Sequence, residues 1–122
     1  MTCPTTTILL HVADPLASAE FYRRILESEP VSADQDFVLF ALSPGNALGL
    51  WRRDRIDPPA TGVTDSIEIG FKQSHDGVDA CHADWVAQGV TILMPPSDRP
   101  FGRSFVALDP DGHRLRVYAL KG

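Results

Sequence analysis

The sequence predicts an α+β fold made of two tandem βαβββ modules, whose curved sheets surround a cavity. The order strand, helix, strand, strand, strand occurs twice along the chain, with a period of roughly sixty residues. Between the two halves, residues 54–64 contain two adjacent prolines and few large apolar groups, which is typical of a linker. We therefore assign one domain over 1–122, with module one at 5–53 and module two at 65–120.

The first module opens with a strand at 8–12. Asp14 and Pro15 then favour the start of a helix, because aspartate caps orphan N–H groups and proline suits the first helical position. The helix at 16–26 has one apolar stripe, formed by Ala19, Phe21, Tyr22, Ile25 and Leu26. Three strands follow, at 30–33, 37–42 and 47–52.

The second module repeats this order. A strand at 66–72 precedes a helix at 76–88, and Gly89 is a helix stop. Helical spacing assigns Val78, Cys81 and Trp85 to the core. Strands at 90–94, 103–108 and 114–120 complete the module, with a loop over 95–100. In the turn before the last strand, we expect Asp109 and Asp111 to accept backbone hydrogen bonds and His113 to lie at the turn or surface.

Alternation along the strands divides each sheet into a helix-facing side and a cavity-facing side. The predicted cavity-facing residues of module one are Thr7, Leu9, His11, Ala47, Gly49, Trp51 and Arg53. Those of module two are Glu68, Gly70, Lys72, Arg114, Arg116 and Tyr118. Such a mixture of polar, small and aromatic side chains is typical of a small-molecule site rather than a dry core.

Composition excludes several classes of protein. Sixteen acidic residues against eleven basic ones give a net charge of −5, which speaks against nucleic-acid binding. No apolar run reaches the roughly 20 residues of a membrane span. Residues 1–7 do not resemble a signal peptide, so we expect a cytoplasmic protein with no membrane or nucleic-acid partner. Two cysteines, Cys3 and Cys81, form neither a disulfide framework nor a metal motif.

Two motifs resemble a known family. The run His-Val-Ala-Asp at 11–14, followed by Ser-Ala-Glu-Phe-Tyr at 18–22, resembles the first module of the vicinal oxygen chelate superfamily. That group includes glyoxalase I, extradiol dioxygenases and bleomycin-resistance proteins. The run Asp-Pro-Asp-Gly-His-Arg-Leu at 109–115 resembles the hallmark of its second module. The resemblance covers essentially the whole chain, and implies the glyoxalase/bleomycin-resistance fold and a homodimer.

The resemblance also implies where a metal would be bound. Metal-dependent members hold a divalent ion with histidines and glutamates at four positions, which fall here on Thr7, Gly49, Glu68 and Arg116. Only Glu68 is a suitable ligand, and the cation of Arg116 would repel a metal ion. We therefore expect no metal and no cofactor. Our hypothesis is that Arg116 occupies the space of the lost metal and forms a bidentate pair with Glu68.

A further resemblance concerns the metal-free, drug-binding branch of the superfamily. Residues 37–40 and 49–51 resemble phenazine-antibiotic-resistance and similar proteins. Trp51 would stack on a flat ring system, and Gly49 would leave room for it. We expect sequestration of a small planar aromatic compound, with antibiotic resistance as the role and no catalytic residue. The predicted ligand-binding residues are Leu9, His11, Gly49, Trp51, Arg53, Glu68, Arg116 and Tyr118.

Three alternatives stay open at this point. The first is a metal-dependent glyoxalase-like or dioxygenase-like enzyme with a non-standard ligand set that includes Glu68 and His11. The second is a metal-free enzyme that uses Glu68 as a general base. The third is a protein without a ligand, in which Trp51 is a packing residue. His75 and His82 are expected to be exposed, and they form no metal-type spacing.

Overall fold

The computed structural model describes residues 6–121, apart from the side chain of Asp65, so Cys3 lies outside the described residues. The chain divides into two compact units, Met1–Gly62 and Val63–Gly122, and the boundary falls inside the segment 54–64. Across the described residues, the helices are too short and too polar to cross a membrane.

The first unit is one βαβββ module with a four-stranded sheet. Its elements are β1 (Thr6–Val12), α1 (Pro15–Leu26), β2 (Ser32–Ala33), β3 (Phe37–Ser43) and β4 (Asn46–Arg52). The strand order is β1-β4-β3-β2, with β1 parallel to β4 and the remaining pairs antiparallel. A short 3-10 turn over Arg53–Arg55 follows the last strand.

The second unit repeats the topology of the first. After a 3-10 turn at Thr64–Ser66, its elements are β5 (Glu68–Lys72), α2 (His75–Ala87), β6 (Thr91–Arg99), β7 (Gly102–Leu108) and β8 (Arg114–Leu120). The strand order is β5-β8-β7-β6, again with the first and last strands of the module parallel. The predicted α+β fold of two βαβββ modules is therefore confirmed.

Helix α1 begins at the predicted Asp14 cap, and α2 ends at the predicted Gly89 stop. Asp14 Oδ1 accepts hydrogen bonds from the N–H groups of Leu16 and Ala17, at 3.2 and 3.3 Å. Ser74 Oγ accepts from the N–H of Gly77 at 3.0 Å and caps α2. At the end of α2, Gly89 adopts a φ of +80°, a conformation that glycine reaches without steric cost.

Each sheet buries one face beneath its own helix. In the first unit, Leu10, Val12, Leu48 and Leu50 are almost fully buried, as alternation predicts. In the second unit, Trp85 is 4 % exposed and meets the rings of Phe71 and Phe105 edge to face. The assignment of Trp85 to the core is confirmed. Cys81, which was also assigned to the core, is only half-buried. His82 was expected to be exposed, but it is half-buried, and the centroid of its ring lies 5.2 Å from that of Phe105.

Strand β6 corrects the prediction of a loop over 95–100. It continues through Pro95 and Pro96 to Arg99. Proline is tolerated there because β6 is the edge strand of its sheet, and because the pairing with β7 shifts register between Met94 and Ser97.

Two strand ends also differ from the prediction. Strand β4 ends at Arg52, so Arg53 lies in the 3-10 turn, exposed, rather than on the sheet face. The reason is that the last partners of β4 are Val12 on β1 and Phe37 on β3, which leaves Arg53 without a strand beside it. Strand β5 begins at Glu68 rather than at residue 66, and Ile67 before it is 55 % exposed.

The turn between β7 and β8 is organised by one carboxylate. Asp109 Oδ1 accepts from the N–H groups of Asp111 and His113, at 2.9 and 2.8 Å, which confirms its predicted capping role. Its Oδ2 lies 2.7 Å from His113 Nδ1. The surface placement of His113 is wrong, because this second contact draws the ring into the protein, where the residue is 4 % exposed.

Replacing Trp85 tests the packing of the second unit. Truncation of a buried aromatic side chain leaves a cavity, so Trp85→Ala should lower the free energy of unfolding by about 3–5 kcal/mol. The control is Val86→Ala on the same helix, at a side chain that is half exposed, with an expected change within about 0.5 kcal/mol. Urea denaturation followed by circular dichroism measures both. Equal losses in the two variants would contradict this description of the core.

Candidate functional site

The first unit presents an apolar pocket on the sheet face opposite α1. Leu9, Phe37 and Trp51 line this open pocket, whose volume is about 370 Å³. The register brings them together, since Leu9 pairs with Gly49 and Phe37 pairs with Trp51. The rings of Phe37 and Trp51 meet edge to face, with centroids 6.3 Å apart and planes at 89°. This contact holds the indole in one orientation while leaving it half-exposed.

Gly49 has a different role from the one that the sequence suggests. A Cβ at this position would lie 2.7 Å from Leu9 Cδ2 and 2.8 Å from Phe37 Cζ. The space above Gly49 is therefore filled by the protein's own side chains. Gly49 lets Leu9 and Phe37 close over the strand, and the interpretation that it leaves room for a ligand is wrong.

His11 stands next to the indole in this face. It pairs with Trp51 in the parallel register of β1 and β4, so the two side chains point to the same side of the sheet. The residue is half-buried. A hydrogen-bonding role of His11 toward a ligand stays a prediction.

The second unit carries the predicted ion pair. Arg116 Nε donates to Glu68 Oε2 at 2.8 Å, and Arg116 Nη2 donates to Glu68 Oε1 at 3.0 Å. Arg116 Nη1 donates to Ser104 Oγ at 3.0 Å. The pair is therefore bidentate, as hypothesised, and it joins β5 to β8 and β7. The Glu68 and Arg116 side chains are 32 % and 25 % exposed, so the pair is only partly shielded from water.

The pair keeps both groups ionised. Hydrogen bonds from Arg116, and then the charges of Arg116 and Arg114, lower the pKa of Glu68 against an opposing contribution from burial. Hydrogen bonding to Glu68 likewise raises the pKa of Arg116. A general base at neutral pH needs a carboxyl pKa raised toward 7. Glu68 is shifted in the opposite direction, which does not favour that role.

The four positions that the resemblance assigns to a metal ion do not carry suitable ligands. Both carboxylate oxygens of Glu68 accept hydrogen bonds from the guanidinium of Arg116. A divalent ion beside that cation would be repelled. Gly49 has no ligand atom, and Thr7 offers only a neutral hydroxyl, which is a weak ligand for such an ion.

The remaining predicted residue of this face is Tyr118. Its ring lies over Gly70, where a Cβ would come within 3.1 Å of Tyr118 Cε1. Across the predicted site, the structure brings Leu9 together with Trp51 and Glu68 together with Arg116, while Arg53 lies off the sheet.

Three residues that take part in these two faces were not among the predicted ligand-binding residues. Phe37 forms a wall of the pocket, Ser104 holds Arg116, and Arg114 lies 3.7 Å from Glu68. Alternation along 103–108 would have found Ser104, and alternation along 114–120 did place Arg114 on this face. The edge-to-face contact of Phe37 with Trp51 depends on strand pairing, which no local signal reveals.

The fold therefore consists of two tandem βαβββ modules, and in each module one face of the sheet is covered by the helix. The chain belongs to the Glyoxalase/Bleomycin resistance protein/Dioxygenase superfamily, whose profile matches residues 6–117. A phenazine antibiotic resistance protein of Enterobacter agglomerans, EhpR, is 30 % identical over 116 residues, which cover 92 % of this chain and 88 % of that protein.

Two solved structures have the same fold as this chain. A protein from Agrobacterium tumefaciens, solved by solution NMR, is 41 % identical with a TM-score of 0.88, and each chain is fully covered. A glyoxalase-related enzyme from Fulvimarina pelagi has a TM-score of 0.82 at 23 % identity, over 94 % of this chain and 86 % of its own. At that identity, the second likeness concerns the fold alone.

Removing Glu68 should leave Arg116 without its main partner. We expect Glu68→Ala to lower the free energy of unfolding by about 1–3 kcal/mol, the usual range for charge-assisted hydrogen bonds, toward the lower end because the pair is partly exposed. Glu20→Ala is the matched control, since Glu20 also pairs with an arginine, Arg23, but on the surface of α1. Its effect should be much smaller. A Glu68→Ala variant with an unchanged melting temperature would rule out a stabilising pair.

The same pair predicts an acid dependence. Because the folded-state pKa of Glu68 lies below its ordinary value of 4.5, its contribution to stability is fully present above that value. The contribution is lost as the pH falls through the folded-state pKa. The difference in unfolding free energy between wild type and Glu68→Gln should therefore be constant from about pH 8 to 5 and shrink below about 4.5. Urea titrations across this range measure it, and a difference that persists to about pH 2.5 would contradict the assignment.

Proposed function

We propose that this protein binds a small planar aromatic compound in the pocket of Leu9, Phe37 and Trp51, and that it does so without a metal ion. Binding would withdraw the compound from solution, which is a resistance mechanism that requires no chemical reaction. The observation that carries this proposal is an open apolar pocket with a half-exposed indole whose orientation a second ring holds.

The physical argument rests on the state of Trp51 before a ligand arrives. Exposed apolar surface costs free energy in water, and covering it with a flat ring recovers that cost. The indole is already oriented by Phe37, so little conformational freedom is lost on binding. Offset stacking on the ring face adds to the gain from burial.

The curated relative supports the same class of ligand. EhpR is named as a phenazine antibiotic resistance protein, and phenazines are flat, fused aromatic ring systems. The chain covers most of that relative at 30 % identity. An enzyme that uses Glu68 as a general base has no comparable support, because Arg116 occupies the carboxylate and keeps it ionised.

The assembly and the compartment belong to this proposal as well. The resemblance implies a homodimer, and the composition and the N-terminal residues led us to expect a cytoplasmic protein. Sedimentation analysis of the purified chain tests the dimer directly. A monomer at micromolar concentration would reject the proposed dimer. It would not affect the proposed ligand pocket, whose lining residues all belong to the first unit.

Phenazine is the probe for the pocket. The chain has two tryptophans, so the half-exposed Trp51 and the buried Trp85 must be separated. We expect saturable quenching of tryptophan emission in the wild type and in Trp85→Phe, whose remaining indole is Trp51. Trp51→Leu should lose this quenching and bind at least about fivefold more weakly by calorimetry, since one stacking contact is worth about 1 kcal/mol.

Two results would reject the proposed function. One is phenazine binding of equal affinity in Trp51→Leu and the wild type, which would place the ligand elsewhere. The other is the absence of binding by phenazine and other planar heterocycles to the folded wild-type protein.

A further inference from the structure

The second sheet carries a local excess of positive charge on the face opposite α2. Lys72, Arg114 and Arg116 share this face with Glu68, since Glu68 pairs with Arg114 and Lys72 pairs with Tyr118 in the register of β5 and β8. Three cations of β5 and β8 therefore stand against one carboxylate, and Glu68 is the acidic residue that these two strands bring to this face. The chain as a whole has a net charge of −5, so the excess is specific to this surface.

The only carboxylate on this described face is already engaged. Both oxygens of Glu68 accept hydrogen bonds from Arg116, at 2.8 and 3.0 Å. Arg114 Nη1 lies 3.7 Å from Glu68 Oε1, which is longer than a hydrogen bond. Among the described residues, Arg114 Nε is buried without an acceptor, while the side chain as a whole is 37 % exposed. Arg114 thus keeps donors for an acceptor that the described residues do not provide.

Aromatic rings adjoin the cations. The Tyr118 ring lies over Gly70, on the same face as Arg114 and Arg116. The centroid of the Phe101 ring lies 6.0 Å from Arg116 Cζ. These rings offer apolar surface next to charge, and they reduce the access of water to the guanidinium groups. A ligand suited to this face therefore has an anionic group and an apolar body.

We propose that this face binds the carboxylate of a small organic acid, with Arg114 as the principal cation and Lys72 as a second one. The planar guanidinium of Arg114 matches the planar carboxylate, whereas the Glu68–Arg116 pair is a rigid neighbour that supplies no free charge. The apolar part of the acid lies against Tyr118. This inference does not depend on the pocket of the first unit, since it concerns another sheet and a charge-based contact.

The test uses sodium benzoate as the probe and benzamide as its neutral isostere. Two-dimensional ¹⁵N–¹H spectra of the whole chain resolve both backbone amides and arginine Nε–H groups. We expect benzoate to shift the Nε–H signal of Arg114 and the amides of Lys72 and Tyr118 in a saturable manner. Benzamide should bind at least about tenfold more weakly, as one charge-assisted contact is worth about 1.5–3 kcal/mol.

Variants identify the cation responsible. Arg114→Gln should weaken benzoate binding at least tenfold, and Lys72→Gln should weaken it by a smaller factor. Arg24→Gln is the control, because it removes the same charge from the exposed surface of α1. Its affinity should equal that of the wild type. If Arg114→Gln does not fold, the benzoate affinities of Lys72→Gln and Arg114→Lys test the proposal instead. Arg114→Lys should bind benzoate more weakly than the wild type but should retain part of the affinity, since it keeps the charge.

Several outcomes would overturn the proposal. These are equal binding of benzoate and benzamide, unchanged benzoate affinity in both Arg114→Gln and Lys72→Gln, or shifts confined to other surfaces. Tighter binding of inorganic phosphate than of benzoate would also overturn it, since the apolar body would then contribute nothing. Trp51→Leu should bind benzoate like the wild type, so failure of this inference and failure of the proposed function are distinguishable.

Discussion

The pairing of Glu68 with Arg116 is the interaction on which the open face of the second sheet depends. It joins the two parallel strands of that module and, through Ser104, the strand next to them. A carboxylate and a guanidinium that are only partly exposed need each other, because either one alone would lose water without a compensating partner. The pair also engages both oxygens of Glu68, so that Arg114 meets this carboxylate only at an ion-pair distance of 3.7 Å.

The two modules show how one topology supports two kinds of surface. Both sheets have the same strand order and bury one face beneath a helix. In the first module, the open face is apolar and aromatic around Trp51, whereas in the second it is charged around Arg116. The residues that face the helices are constrained by packing. The residues on the opposite sheet faces are not, so the two modules can differ there in the ligands that they suit.

Several failures of sequence reasoning come from side-chain and strand contacts that alternation does not describe. Pro95 and Pro96 were interpreted as loop residues, yet an edge strand with a register shift accepts them. His113 was placed at the surface, yet the carboxylate of Asp109 draws it inward. Gly49 was expected to admit a ligand, yet Leu9 and Phe37 fill the space above it. For the prolines and Gly49, the deciding neighbour lies on another strand, whereas for His113 it is a side chain of the same turn.

The sequence by itself determined the two βαβββ modules, the Asp14 cap of α1 and the core position of Trp85, and the family resemblance led to the partnership of Glu68 with Arg116. These follow from periodicity, local capping chemistry and the need of a part-buried charge for a counter-charge. Only the tertiary structure decided that Phe37 holds the indole of Trp51, that Arg53 leaves the sheet, and that Arg114 keeps its donors. Those outcomes depend on strand register and on distances between side chains, which arise when the sheets assemble.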